Sequence, residues 1–486
     1  MAKRLLVVLA LVGVCLTPAS AQFIYRPPPP APPTMGPLVA SATNYHYFVN
    51  PQGRSVLLAG SHSWNVEQDT DMSASPAPMN FTNFVNFILS HNQNCTILWH
   101  KDLPTYFNWG PGGTWTMTPF PWQRLGPGNA SDGLLRFDFT QFNQSYFDRL
   151  RARALQLQQS HIYAIVELFD GLGLINNRGA GDGYPFSSGN NVNGIADDNA
   201  LSSMTMTSAN AITAVQDAYV QKVIDTLNDL QNVIWEVSEE APTASSTFWS
   251  GHMINLIHSY EAGKPLKHPV FLPTTQVPGN DSALQNTNAD VIALVAKFPG
   301  TTNCGTGTPA CKPNINDSDH SYFGMWLDSA QVNRQYLWEN VMNGHNVVFM
   351  DPYLINWASQ SRNLCVSPVN GVCSGPDTRW DNFRDNIGQA VAYGIRVGLL
   401  NMTPQPALSS TGFALANNGV EYLVYAPTGG TFTVDLSAAP TKNFNVEWFD
   451  GVRILTQPAG FQIGGSSTQS FTPPGGFTAD AVLYLW

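Results

Sequence analysis

The chain has 486 residues, of which 23 are basic and 34 acidic, for a formal charge of −11, and only 12% of it is charged. An acidic chain repels polyanions, which excludes nucleic acid and anionic membrane surfaces as partners. The plentiful Asn, Gln, Ser, Thr and aromatic residues suit neutral, hydroxyl-rich ligands such as sugars.

The first residues carry Lys3 and Arg4, then an apolar stretch from Leu5 to Leu16, then Ala19-Ser20-Ala21, the layout of a secretory signal over residues 1–21 with cleavage near Ala21. The stretch is too short to span a bilayer, and no later apolar run is long enough, so an exported chain, secreted or periplasmic and without membrane insertion, is expected. Val14 ahead of Cys15 fits a lipid-attachment box poorly. Residues 22–37 contain Pro27 to Pro30 and Pro32-Pro33, an extended spacer with no core of its own.

From residue 38 to 404, strand-like apolar runs recur at Ser55 to Gly60, Thr96 to Trp99, Tyr163 to Phe169, Val233 to Val237, Val270 to Pro273, Asp290 to Leu294, Asn314 to Asp317 and Val347 to Met350. Amphipathic helices lie between them: Phe147, Leu150, Ala154 and Leu157 share a face, as do Val215, Tyr219, Val223 and Leu227, and Met253, Leu256, Ile257 and Tyr260. Eight strands alternating with helices predict an α/β fold, the (β/α)8 TIM barrel. The long Gly/Asn/Asp-rich segment from Gly171 to Asn210 is expected to wall a cleft. Beyond Pro404 the period changes to two, with turn signals at Asn417-Asn418-Gly419, Asp450-Gly451 and Pro474-Gly475-Gly476, so residues 405–486 predict a small antiparallel β-sandwich.

Five cysteines follow the signal. Cys304 with Cys311 and Cys365 with Cys373 lie close together in Gly/Pro/Asn-rich loops, which suits two local disulfides in an oxidising compartment. Cys95, beside Ile97-Leu98-Trp99, reads as a buried thiol.

In a barrel of this kind the strand C-termini form the active face. Glu239 and Glu240 close the fourth run, and Asp317-Ser318-Asp319-His320 closes the seventh. Hydrolysis of a glycosidic bond needs one carboxyl group to protonate the leaving oxygen and a second to attack or stabilise the anomeric carbon. Glu240 is the expected acid/base and Asp319 the expected nucleophile, with Asp317 the alternate. The competing readings are a helix N-terminal cap for the glutamates, ahead of Pro242, and an Asp-rich turn or calcium site for whichever aspartate is not catalytic. Around them, His62, Trp64, Trp99, His100, Glu167, Asn191, Asn193, Glu239, His320, Asp351 and Tyr353 form an expected sugar subsite, with aromatic faces stacking on C–H surfaces and polar groups on hydroxyls. There is no His-Glu-x-x-His, no Gly-x-Ser-x-Gly and no Walker loop, and neither cofactor nor metal is implied.

The stretches Gly60 to Asn65, Asn190 to Gly194, Val233 to Glu240, Asp317 to His320 and Phe349 to Tyr353 resemble the bacterial apiosidase-like glycoside hydrolases, which end in a module named for collagen binding. The resemblance runs from about Leu38 to Trp486. It implies a barrel of the large retaining glycosidase clan, with Glu240 as acid/base and Asp319 as nucleophile. Here Glu239-Glu240 replaces the clan's usual Asn-Glu pair, and Asp319 stands where a glutamate is usual. Ile97 stands where strand 2 often carries an arginine. The rival reading from another class is a non-catalytic carbohydrate-binding protein on a barrel scaffold. A collagen-directed adhesin or protease would rest on the terminal module's name alone.

Overall fold

A computed structural model describes residues 35–107, 112–197, 202–240, 247–273, 284–294, 311–321, 329–356, 367–465 and 467–486. The chain divides into Met1–Ala31 and a compact unit from Pro32 to Trp486. The signal and most of the spacer lie outside the described residues, as do Cys304 and Cys365.

Each of the eight expected runs overlaps a parallel strand: β1 (Ala59–His62), β2 (Cys95–Leu98), β3 (Tyr163–Glu167), β4 (Val233–Glu236), β5 (Val270–Leu272), β6 (Val291–Ile292), β7 (Ile315–Asp317) and β8 (Asn346–Met350). Every residue of these strands is buried, as parallel strands covered on both faces require. Among the described residues they form a five-stranded sheet in the order β6-β5-β4-β3-β2 and a three-stranded sheet in the order β7-β8-β1. A single bridge between Ile292 and Asn314 joins the β6 edge to the β7 edge. At the other seam the Asn94 N–H donates to the Ala59 carbonyl at 3.2 Å, and the Asn94 side chain accepts from the Ala59 N–H at 2.9 Å. A Cβ on Gly60 would sit 1.9 Å from the Cys95 carbonyl oxygen, so only glycine lets β1 and β2 approach this closely. The ladder hydrogen bonds thus define a mixed α/β architecture with its parallel sheet in two pieces.

The first run is shorter than its hydrophobicity suggests. Ser55–Val56 pairs antiparallel with Phe48–Val49 in a small N-terminal sheet, and the parallel strand starts only at Ala59. Helix α1 (Phe81–Ser90) is capped by the Asn80 side chain, and α2 (Gln144–Gln159) buries Phe147, Leu150, Ala154 and Leu157. The segment after β3 opens with a short helix, α3 (Gly171–Asn176), capped by Asp170. It is then stitched to an antiparallel hairpin, Trp122–Asn129 with Leu135–Phe142, that the sequence pattern did not signal.

The C-terminal region is β-rich. A six-stranded antiparallel sheet and the pair Phe432–Asp435 with Thr468–Phe471 share a core that includes Tyr422, Val424, Phe432, Phe444 and Phe471. The opposite face of the large sheet presents Leu423, Tyr425, Phe449 and Val482 to the main core. Arg334 reaches across to Asp480, Nη2 to Oδ1 at 2.6 Å, with both side chains buried. The Asn386 side chain donates to the Gly451 carbonyl at 2.9 Å. With its junction closed by a buried ion pair, this region is a packed part of the unit.

Candidate functional site

The strand C-termini converge on a contact chain that crosses five strands. It begins with Asp317, the last residue of β7, whose Oδ1 meets the His62 Nε2 at the end of β1 at 3.0 Å. The His62 ring stacks on Trp99, just past β2, with centroids 5.0 Å apart. Trp64 stands edge-on to the same indole at 6.3 Å. The ammonium of Lys101 lies 4.6 Å from the Trp99 ring centre and 3.4 Å from Asp170 Oδ2 beyond β3. Asp170 also accepts from the Tyr106 hydroxyl, and its backbone N–H donates to Asp102 at 2.7 Å. A bridge ties Asp170 to Glu239 after β4, and Glu239 Oε2 accepts from the Leu172 N–H at 3.2 Å. The acids after β4 and β7 therefore belong to one contiguous constellation.

Within it the carboxyl groups are differently placed. Asp317 Oδ1 also accepts from the Asp319 N–H at 2.9 Å, so this oxygen orients both His62 and the turn that follows. The strand stops at Asp317 and Ser318–Ser321 is helical, because the Ser318 hydroxyl accepts from the Met350 N–H at 2.8 Å and so turns the chain across to β8. Asp319 thus lies on the first turn of a helix, buried at 4% exposure, and does not share a strand face with Asp317. Glu240 is half-buried and its backbone is left-handed at φ 36°, a sparsely populated conformation for a non-glycine residue that the surrounding fold must hold in place. The His320 side chain lies outside the described residues.

Glu167, the last residue of β3, is buried, and neither carboxyl oxygen has a hydrogen-bond donor among the described residues. Burial holds its pKa well above the usual carboxylate range; Lys101 opposes that shift, while Asp170, Glu236 and Glu239 reinforce it. Glu239 is pushed the same way, first by burial and then by the neighbouring Glu240 and Asp170, with Lys101 and the Leu172 N–H pulling back. Burial and repulsion from acidic neighbours thus act on Glu167 and Glu239 in one direction, raising the affinity of both glutamates for protons.

Other expected subsite residues are committed within the fold. His100 Nδ1 meets the Tyr146 hydroxyl at 3.0 Å. Asn191 donates to the carbonyls of Pro185 and Ile195 within the segment after β3, and Asn193 accepts from the Phe139 N–H at 2.8 Å, which fastens that segment to the hairpin. Asp351 is engaged by Arg384, and Tyr353 packs against Phe84 and Phe87. Lys101 and Asp170 stand outside the subsite expected from the sequence, yet both belong to the contact chain.

A further buried carboxyl, Glu67, lies five residues past His62 and escaped sequence reasoning altogether. Burial raises its pKa to about 8, with Arg153 and Arg149 opposing and Asp69 adding to the shift. The sign of its linkage to folding follows. The folded state keeps a proton that the unfolded chain releases near pH 4.5, so this stabilisation is complete below about pH 4.5 and is lost as pH rises towards about 8. Glu67→Gln, neutral at every pH, is expected to flatten the fall in urea-unfolding stability between pH 5 and 8.5 by about 2–4 kcal/mol. Parallel stability curves for the two proteins would contradict this.

Among the described residues, no group of three or more His, Cys, Asp or Glu is placed to hold a metal ion, and no helix is long and apolar enough to cross a membrane. Cys95 is a buried free thiol.

Residues 111–296 match a family model described as a domain of unknown function, DUF6298, and residues 411–485 match one described as "Putative collagen-binding domain of a collagenase". No curated protein sequence matches the chain. Among solved structures it is similar to a glycoside hydrolase family 5 protein from Bacteroides vulgatus, with 14% identity, 93% of each chain covered and a TM-score of 0.60. A second, described simply as a glycoside hydrolase, aligns with 13% identity over 93% of this chain and 96% of its own at a TM-score of 0.60. A third, a glycoside hydrolase candidate also from Bacteroides vulgatus, aligns with 13% identity over 93% and 82% at 0.59. At these identities the likeness is one of fold: a mixed α/β architecture with a β-rich C-terminal region, shared with solved glycoside hydrolases.

Proposed function

We propose that this protein is an exported retaining glycoside hydrolase that cleaves glycosidic bonds in a plant or microbial polysaccharide or its side chains. The observation that carries the reading is the unbroken contact chain from Asp317 through His62, Trp99, Lys101 and Asp170 to Glu239, which puts the acids after β4 and β7 on one aromatic-walled rim. Glu240 is the acid/base and Asp319 the nucleophile. Asp317 is the orienting residue, because its Oδ1 already serves His62 and the Asp319 N–H. In a retaining site the two reacting carboxyl groups stand about 5–5.5 Å apart.

The proposal includes closure of the eight strands into a (β/α)8 barrel over residues 38–404, of the apiosidase-like kind. The Ile292–Asn314 bridge and the Ala59–Asn94 contacts at the two seams support it. It also includes a signal over residues 1–21, a spacer over 22–37, residues 405–486 as an accessory β-sandwich, and local disulfides pairing Cys304 with Cys311 and Cys365 with Cys373 in an oxidising compartment. Incubating the purified chain with a broad set of polysaccharides and following the first-formed anomer by NMR tests the reading. The expected result is a reducing sugar released with its anomeric configuration retained; an inverted first product rejects the retaining mechanism, and glycan binding without product supports the non-catalytic alternative.

A further inference from the structure

We propose that the cleft between the loops following β1 and β8 is a second sugar subsite, holding an uncharged unit of the glycan beside the one whose bond is cleaved; the assignment rests on the glycosidase reading above. The cleft encloses about 320 Å³, within the range of small-molecule sites. Asn65, Met79 and Asn80 line one wall, and Leu354, Val369 and Asn370 the other. The two loops leave the C-terminal ends of neighbouring parallel strands, β1 and β8, on the rim that carries His62 and Asp317. Asn65 follows His62 by three residues, so their Cα atoms are at most roughly 11 Å apart.

The chemistry of the walls selects the occupant. Asn65 is 3% exposed, and its Oδ1 accepts from the Ser63 hydroxyl at 3.0 Å, while its amide NH2 donates to no group among the described residues. The Asn65 amide belongs to the cleft lining, where its NH2 is open to an acceptor on a ligand. The carboxylate in the wall, Asp71, is already spent: Oδ1 accepts from the N–H and hydroxyl of Ser73, both at 2.6 Å, and Oδ2 from the Ala77 N–H at 2.9 Å. The lining holds no basic residue for an anion and both Asp71 oxygens are already engaged by Ser73 and Ala77, while a hydrocarbon would leave the Asn65 donors unmet. A neutral sugar unit satisfies both walls, its hydroxyls meeting Asn65 and its C–H face resting on Met79, Leu354 and Val369. The cleft is also preformed. The left-handed residue Asn370, at φ 49°, is held by a hydrogen bond from the Met72 N–H at 2.9 Å, and Asn356 donates to the Gly371 carbonyl at 2.8 Å.

The test is calorimetric titration of the full-length Glu240→Gln chain with neutral gluco-, manno- and xylo-oligosaccharides of increasing length, repeated with Asn65→Ala or Val369→Trp added. Val369 is 69% exposed, so the tryptophan can block the cleft without entering the core. The expected result is an affinity gain of about tenfold on adding the unit that reaches the cleft, removed by either substitution. A gain that survives Val369→Trp, an equal loss at every chain length, or no gain with length overturns the subsite. Hydrolysis of the same sugars by the unmodified chain is scored separately. Length-dependent binding without turnover keeps the cleft and removes the enzyme reading, whereas turnover without length dependence does the reverse.

Discussion

Glu240→Gln and Asp319→Asn are each expected to lower turnover of the cleaved glycan by about 10²- to 10⁴-fold while leaving the urea-unfolding midpoint unchanged. Both changes keep side-chain volume and remove only the ability to ionise or to donate a proton, so any loss reports on chemistry. The two variants should also differ from each other. An aryl glycoside with a good leaving group needs no protonation in the first step, so Glu240→Gln should form the glycosyl-enzyme at near-normal rate and then stall, giving a burst of released phenol. Asp319→Asn has no nucleophile and should give no burst. Asp317→Asn belongs to a third class: it weakens the acceptor that His62 and the Asp319 N–H share, so turnover and stability should fall together. Full turnover in either Glu240→Gln or Asp319→Asn rejects the assignment.

These positions were open to sequence reading because they sit at the ends of elements whose pattern is strong. Val233-Ile234-Trp235 is a continuous apolar run because its strand is covered on both faces, and the acids that follow mark where that cover stops. What a run does not encode is where a side chain points once the strand ends. His100, Asp351 and Tyr353 stand at rim positions as expected, yet each turns to a partner far away in sequence: Tyr146, Arg384 and Phe87. Lys101 is the converse. A lysine beside an aspartate reads as solvated, and its full burial depends on Asp170, which joins it only after the chain has passed through the hairpin, α2 and β3. The hairpin from Trp122 to Phe142 was hidden for a local reason, since Gly126-Pro127-Gly128 interrupts any alternation. The helical turn after β7 was not legible, because Ser318 caps across to β8, a contact that no one-dimensional period contains.

Asp351→Ala is expected to destabilise the protein by about 3–5 kcal/mol, more than the loss of any single surface pair would. Arg384 is fully buried, and its guanidinium donates to both Asp351 oxygens, from Nε at 2.7 Å and from Nη2 at 2.9 Å, and lies 4.8 Å from the Phe87 ring centre. Removing the carboxylate leaves a charge in the interior with half of its acceptors gone, and that desolvation penalty has no solvent to relieve it. Removing both partners should cost much less: Asp351→Leu with Arg384→Met should recover a large part of the loss, so a double-mutant cycle by urea unfolding should show strong coupling. The pair also reaches the rim. Asp351 donates its backbone N–H to the His62 carbonyl at 2.8 Å and accepts from the Tyr353 N–H at 2.8 Å, steadying Tyr353 in its left-handed conformation at φ 44°. Asp351→Ala takes the acceptor from the Tyr353 N–H and should therefore loosen the rim beside His62 and lower turnover as well as stability, and the double substitution should restore stability further than turnover. If Asp351 instead contacted glycan directly, its loss would weaken glycan binding and leave the unfolding curve where it was.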